Sequence, residues 1–221
     1  SETYGIDINT ACQNLTFRGC AIAGFTNGNN SACVNIRAST AINWLDGVMW
    51  SNRVAFAGTV AGGLTVSNSV VMPVDEGSIV YSVDNAGSIS GNYNDFYLGP
   101  GASMALASTT IFGSTRAPLQ FVTLADWVAA TGQDRHSLSH DPQLGGPAWG
   151  DFALQSQGGR VGGTGLVTDL VTSVLIDAGN PGATATNEPA PNGNRVNIGR
   201  DSGTSLASRT PTNAQLTAVS L

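Results

Sequence analysis

The chain has 221 residues, 41% of them hydrophobic and 11% charged, and a formal net charge of −6. Soluble domains carry roughly 25% charged residues on average, so this surface is built from Ser, Thr, Asn and Gly rather than from Lys and Glu; the nine basic residues are all Arg. The acidic balance excludes a nucleic-acid partner, which needs a basic stripe along the phosphates, and a polybasic membrane anchor, and no apolar run approaches the roughly 20 residues of a membrane-spanning helix.

Residues 4–25 (YGIDINTACQNLTFRGCAIAGF) read as three short strands. Tyr4, Ile6 and Ile8 alternate with polar or small residues, Leu15 and Phe17 alternate again, and Cys20 and Ile22 make a third beat. Period-2 alternation in runs this short marks strands with one buried face. The pattern then recurs. Val34 and Ile36, Ile42 and Trp44, and Val48 and Trp50 form a second set; Val54 and Phe56, Leu64 and Val66, and Val71 form a third; Ile79, Tyr81 and Val83, Ile89, and Tyr93 form a fourth. Ile6 and Val34 are 28 positions apart, Leu15 and Ile42 27, Ile42 and Leu64 22, Ile22 and Met49 27, and Met49 and Val71 22. Such spacings belong to solenoid repeats, in which one coil cannot bury its inner face and stacked coils bury it together. The uneven period puts the length variation in turns such as residues 27–30 (NGNN), Gly62-Gly63 and Asn92 to Asn94, rich in residues that tolerate positive φ.

From Pro100 the grammar changes. Residues 104–112 read as one more strand or coil. Residues 123–130 (TLADWVAA) are predicted helical, with Thr123 as N-cap, Asp126 closing a capping box, Gly132 after the C-terminus, and Leu124, Trp127 and Val128 as an apolar stripe for docking on the solenoid. The expected organisation is coils over 1–112 and a closing helix with a loop-rich cap over 113–221, packed as one domain. The fold class expected is all-β, a right-handed parallel β-helix of four or five coils with one short helix and an irregular C-terminal cap. The chain opens at Ser1 without Met or a signal peptide, which suggests a mature product or a piece of a longer protein.

Three cysteines, Cys12, Cys20 and Cys33, allow one internal bridge at most, or none if they are small apolar residues of neighbouring coils. Without a CxxC pair they do not form a zinc motif. His136 and His140 have the i, i+4 spacing that holds a metal on a helix, but they stand in a polar stretch that reads as loop or strand.

Several motifs resemble the closing region of right-handed parallel β-helix repeat proteins. They are residues 125–134 (ADWVAATGQD), 137–144 (SLSHDPQL), 150–155 (GDFALQ), 173–181 (SVLIDAGNP) and 188–199 (EPAPNGNRVNIG). Val174 stands where that family usually has Pro, and Arg200-Asp201 where it often has Ala-Tyr. The resemblance implies a secreted or cell-surface bacterial protein, and through other β-helix proteins it raises polysaccharide cleavage or binding. A lyase resembling pectate lyases needs a cationic base beside a calcium-holding carboxylate cluster. The coils offer Arg18, Arg37 and Arg53, and Asp46, Asp75, Glu76 and Asp84, with Asp75-Glu76 the adjacent acidic pair; a Lys base is excluded. The Asp-Asp, Gly-His-Gly and Arg-x-Lys strings of polygalacturonase-like enzymes are missing, and Asp141-Pro142 does not continue as in mannuronan epimerases.

The expectation is therefore a non-catalytic, extracellular or cell-surface structural or adhesive module that self-assembles through its first coil at Tyr4, Ile6 and Ile8, its partner being itself or upstream coils of a longer chain. The alternative is a polysaccharide-binding or polysaccharide-cleaving protein, with Trp44, Trp50 and Tyr93 as stacking residues, Asp75 and Glu76 as polar partners, and no cofactor other than a Ca²⁺ that no motif supports. At alternating strand positions, tryptophans are also natural core residues.

Overall fold

The computed structural model describes residues 3–10, 12, 14–26, 31–37, 41–73, 75–108, 110–111, 114–115 and 117–213. The turn expected at residues 27–30, the strand end at residue 112 and the last residues of the cap lie outside them. The chain forms a parallel β-solenoid of four three-stranded coils. The first coil is β1 (Tyr4–Ile8), β2 (Leu15–Arg18) and β3 (Ala21–Ala23). The second is β4 (Ala32–Ile36), β5 (Ile42–Leu45) and β6 (Val48–Trp50). The third is β7 (Val54–Gly58), β8 (Leu64–Ser67) and β9 (Val70–Met72). The fourth is β10 (Ile79–Val83), β11 (Ile89–Asn92) and β12 (Asp95–Phe96). Each strand pairs in parallel with its counterpart one coil away, which makes three sheets that run along the solenoid.

The register follows the apolar spacing of the sequence. Ile6 pairs with Val34, Leu15 with Ile42, Ile42 with Leu64, Ile22 with Met49, and Met49 with Val71. Equivalent apolar side chains therefore stack inside. Trp44, Phe56, Tyr81 and Phe96 are fully buried. Ring centroids lie 6.0 Å apart for Trp44 and Phe56, 5.7 Å for Phe56 and Tyr81, and 6.1 Å for Tyr81 and Phe96, within the range of favourable aromatic pairs.

One backbone device repeats from coil to coil. The single residue after β2, β5, β8 and β11 lies in the left-handed region: Gly19 at φ 62°, Asp46 at 52°, Asn68 at 50° and Tyr93 at 56°. A one-residue corner of this kind turns the chain sharply between the second and third sheets, and Gly, Asn and Asp accept it best. Tyr93 is thus a corner residue, not part of the fourth coil's third strand as its apolar beat suggested. That strand is Asp95–Phe96, with Phe96 pointing in.

The far end is closed by several elements. β13 (Ser103–Ala107) adds one more parallel strand to the first sheet, beside β10. A small hairpin of β14 (Thr110–Ile111) and β15 (Ser114–Thr115) leads to β16 (Leu119–Phe121), which pairs antiparallel with β13 and ends the parallel run. Helix α1 (Leu124–Thr131) follows with the expected Thr123 N-cap, the capping box through Asp126, and Gly132 at the C-cap with φ 72°. Its Trp127 is fully buried, with ring centroids 5.4 Å from Tyr81 and 5.6 Å from Phe121. Asp134 fixes this plug. Its Oδ2 accepts from Trp127 Nε1 at 3.0 Å, and its Oδ1 accepts from Asn94 Nδ2 at 3.0 Å and Ser137 Oγ at 2.7 Å. Leu138 then bridges in parallel to Asp95 and extends the third sheet by one position.

The rest of the chain holds two antiparallel pairs, β17 (Leu144–Gly146) with β18 (Asp151–Leu154) and β19 (Arg160–Gly162) with β20 (Gly165–Val167), followed by turns and bends. This region does more than cap an end: it lies along the outer face of the third sheet. Outward-facing Val48, Val70 and Met72 form a second core with Leu144, Phe152, Leu154, Leu175 and Ile198. Two hydrogen bonds pin it to the corner ladder, from the Asn180 backbone N–H to Asn68 Oδ1 and from the Gly199 N–H to the Asn68 carbonyl, both 2.8 Å. The third sheet is therefore buried on both faces, which is why Val48-Met49-Trp50 and Val70-Val71-Met72 are unbroken apolar triplets while β5 and β8 alternate.

Candidate functional site

The two ends of the solenoid differ. β1, β2 and β3 each have a hydrogen-bonded neighbour on one side only, so the first coil presents three strand edges together. Its inward side chains Ile6, Leu15, Phe17 and Ile22 are half-buried. Their counterparts one coil on, Val34, Ile42, Trp44 and Met49, are 0–2% exposed. The structure brings Tyr4, Ile6 and Ile8 together on β1; Ile8 is buried, and the Arg37 guanidinium lies 5.2 Å from the centre of the Tyr4 ring. Exposed apolar surface beside unpaired strand edges is a template for further pairing.

The residues singled out as a glycan platform do not converge. Trp44 is fully buried between Phe17 and Phe56, because its alternation phase turns it inward. Trp50 packs against the second core. Tyr93 stacks on His136 with centroids 5.1 Å apart and lies under the Arg195 guanidinium. Asp75 and Glu76 are exposed in a turn, where the Glu76 carbonyl accepts from Arg53 Nη1 at 2.7 Å. Among the described residues, no group of three or more His, Cys, Asp or Glu side chains is placed to hold a metal ion. The cysteines are thiols: Cys12 is exposed, Cys20 half-buried and Cys33 buried, where loss of solvation raises its pKa.

The buried carboxylates are braces. Asp46 is ion-paired with Arg18 at the corner ladder. Burial raises its pKa, opposed by the Arg18 charge and by hydrogen bonds from Asn68, Ser202 and Arg18. Glu188 Oε1 accepts from the backbone N–H of Asn197 at 3.1 Å and of Gly203 at 2.7 Å, and Asp177 Oδ2 accepts from Thr210 Oγ1 at 2.7 Å. Burial raises both. Asp177 and Glu188 each also keep one buried oxygen without a hydrogen-bond partner, and the charges of Asp177 and Asp46 add to the upward shift of Glu188.

Two clefts flank the C-terminal region. One, of about 350 Å³, runs between the corner ladder and the loops, with Arg18, Asp46, Asn68, Thr184 and Ser202 in its wall. The other, of about 280 Å³, lies beside the β17–β18 hairpin and includes Trp149, Asp151, Arg200 and Asp201. Trp149 is 92% exposed. Sequence reading passed over it because it is a lone aromatic in a Pro/Gly-rich turn, on neither a strand nor a helix period.

No protein-family model, no curated protein and no solved structure matches this chain.

Proposed function

We propose that the chain is a non-catalytic structural module of the extracellular or cell-surface kind, a stacking unit whose first coil is completed by a coil of a second copy. The observation that carries this reading is the contrast between half-buried Ile6, Leu15, Phe17 and Ile22 and their fully buried counterparts one coil on. Membership of the secreted β-helix repeat proteins belongs to the same reading, supported by the closing motifs, the Lys-free surface and the solenoid fold.

Geometry restricts how copies join. At the far end β16 pairs antiparallel with β13 and α1 buries Trp127 against Tyr81 and Phe121, so a copy stacked head to tail would not continue the parallel coils. First coil against first coil is an isologous contact, which closes at the dimer and does not propagate into a fibre. The test is light scattering after gel filtration, run from about 1 to 100 μM, a range that brackets a micromolar dissociation constant. The intact chain is expected to elute at twice its monomer mass, and Ile22→Glu, which puts a charge on the inner face of the edge strand, at monomer mass. A monomer throughout the range, with the amides of β1 and β3 open to hydrogen exchange, overturns the proposal.

A further inference from the structure

The cleft beside Trp149 shows a second use of the surface, unrelated to the open coil. β17 and β18 are joined by a single turn of 3-10 helix, Pro147–Trp149, closed by Gly150 at φ 79° with its N–H on the Pro147 carbonyl. Pro147 fixes the start of the turn, Gly150 fixes its end, and both flanking strands are paired. The indole is therefore held out on a rigid tip. A large aromatic side chain this exposed is unusual beside Trp44, Trp127, Phe56 and Phe96, all fully buried, and an exposed apolar surface rimmed by polar groups marks a binding site.

The rim is built. Arg200 Nε and Nη2 donate to the two oxygens of Asp201 at 2.9 and 3.0 Å. Arg160, 7% exposed, donates to Asp151 Oδ2 at 2.5 Å and to Asp169 Oδ2 at 2.8 Å. Both guanidinium groups are thus neutralised by carboxylates within the protein, leaving no surplus positive charge for an anion. Asp151 and Asp201 retain lone pairs, and Arg200 retains N–H donors, beyond those these pairs use. Val161 and Leu206 add apolar wall. The volume, about 280 Å³, lies just below that of drug-sized ligand clefts, which run from roughly 300 to 1,000 Å³, and suits a single ring.

We infer that this cleft binds one ring of a neutral glycan, the C–H face of the pyranose lying on Trp149 and its hydroxyl groups reaching Asp151, Arg200 and Asp201. A rigid aromatic face beside fixed hydrogen-bonding groups is complementary to a ligand that is apolar on one face and hydroxylated at its edge, and with three carboxylates against two guanidinium groups the rim disfavours an anionic one. Rigidity of the tip means that little ordering opposes binding.

The test is isothermal titration of the intact chain with cellohexaose, maltohexaose, mannohexaose and hexagalacturonate. At least one neutral oligosaccharide is expected to half-saturate at or below about 1 mM, the weak end of specific recognition. Trp149→Ala weakens that binding at least tenfold, and Trp149→Phe, which keeps a stacking face, recovers most of it. The exposure of Trp149 means that neither variant should change the melting temperature, which is measured alongside. Binding of none of the four, binding of hexagalacturonate alone, or neutral binding that survives Trp149→Ala overturns the inference. So does a change of oligomeric mass in Trp149→Ala, because the tip would then be a protein contact.

Discussion

Asp95 contributes a pH dependence of stability opposite in direction to that of a salt-bridged carboxylate. It lies in β12 where the third sheet passes into the closing segment, and it is fully buried. Its Oδ1 accepts from the His140 backbone N–H at 3.0 Å, while Oδ2 has no hydrogen-bond partner. Burial pushes its pKa from 3.8 up to about 7; the His140 hydrogen bond opposes the shift and the nearby Asp141 charge adds to it. The folded state therefore holds the proton more tightly than the unfolded chain. Between about pH 4 and pH 7 it binds more protons than the unfolded state, so stability falls as pH rises through that window. A shift of about three pH units at 1.36 kcal/mol each amounts to about 4 kcal/mol. Asp95→Asn keeps the acceptor for His140 and cannot ionise. Urea unfolding of both proteins at half-unit steps from pH 4 to pH 8 isolates the effect, because other groups cancel in the difference. The wild type is expected to lose about 4 kcal/mol relative to Asp95→Asn across the window. A difference that stays flat, or a wild type that gains stability towards pH 7, refutes the reasoning.

Two further substitutions test the architecture. Asp134→Ala leaves Trp127 Nε1 and Ser137 Oγ without their acceptor and Asn94 Nδ2 with the Val66 carbonyl alone, and is expected to cost about 3–5 kcal/mol, with a smaller loss in Asp134→Asn, as measured by urea midpoints. Gly58 has φ 107° at the end of β7, and a Cβ there would overlap the Ile36 carbonyl oxygen. Gly58→Ala is therefore expected to cost about 3 kcal/mol or more, whereas Gly163→Ala, with open space around the added carbon, should stay within about 0.5 kcal/mol on the same urea curves.

The coils were legible because burial in a solenoid is periodic. The spacings from Ile6 to Val34 and from Leu15 to Ile42 reappear as strand register, since a coil out of step would turn its apolar face to water. The helix was legible down to its caps, because Thr123, Asp126 and Gly132 act locally. Tyr93 was misplaced because a corner residue and an inward strand residue both appear as an apolar letter between Asn residues. The docking of the C-terminal region along the third sheet was harder to read. Its contacts span long separations, 112 residues from Asn68 to Asn180, and its signal is the unbroken apolar triplets of β6 and β9. Of the surface, the open first coil followed from the repeat pattern, whereas the Trp149 tip depends on a hairpin geometry that no periodicity announces.

The double burial of the third sheet also bears on synthesis. Each coil pairs with the coil before it, so the solenoid can wind up as the chain leaves the ribosome. Yet the outer face of that sheet, Val48, Val70 and Met72, is first met by Leu144, Phe152 and Leu154 and is completed only by Leu175 and Ile198, made more than 100 residues after Val70. Until they arrive, a nascent chain carries a nearly finished solenoid with an apolar flank bare to the cytosol or to a translocation channel. Ribosome stalling or premature termination in this interval leaves a product that is wound but sticky, the kind of species that chaperones hold and proteases remove.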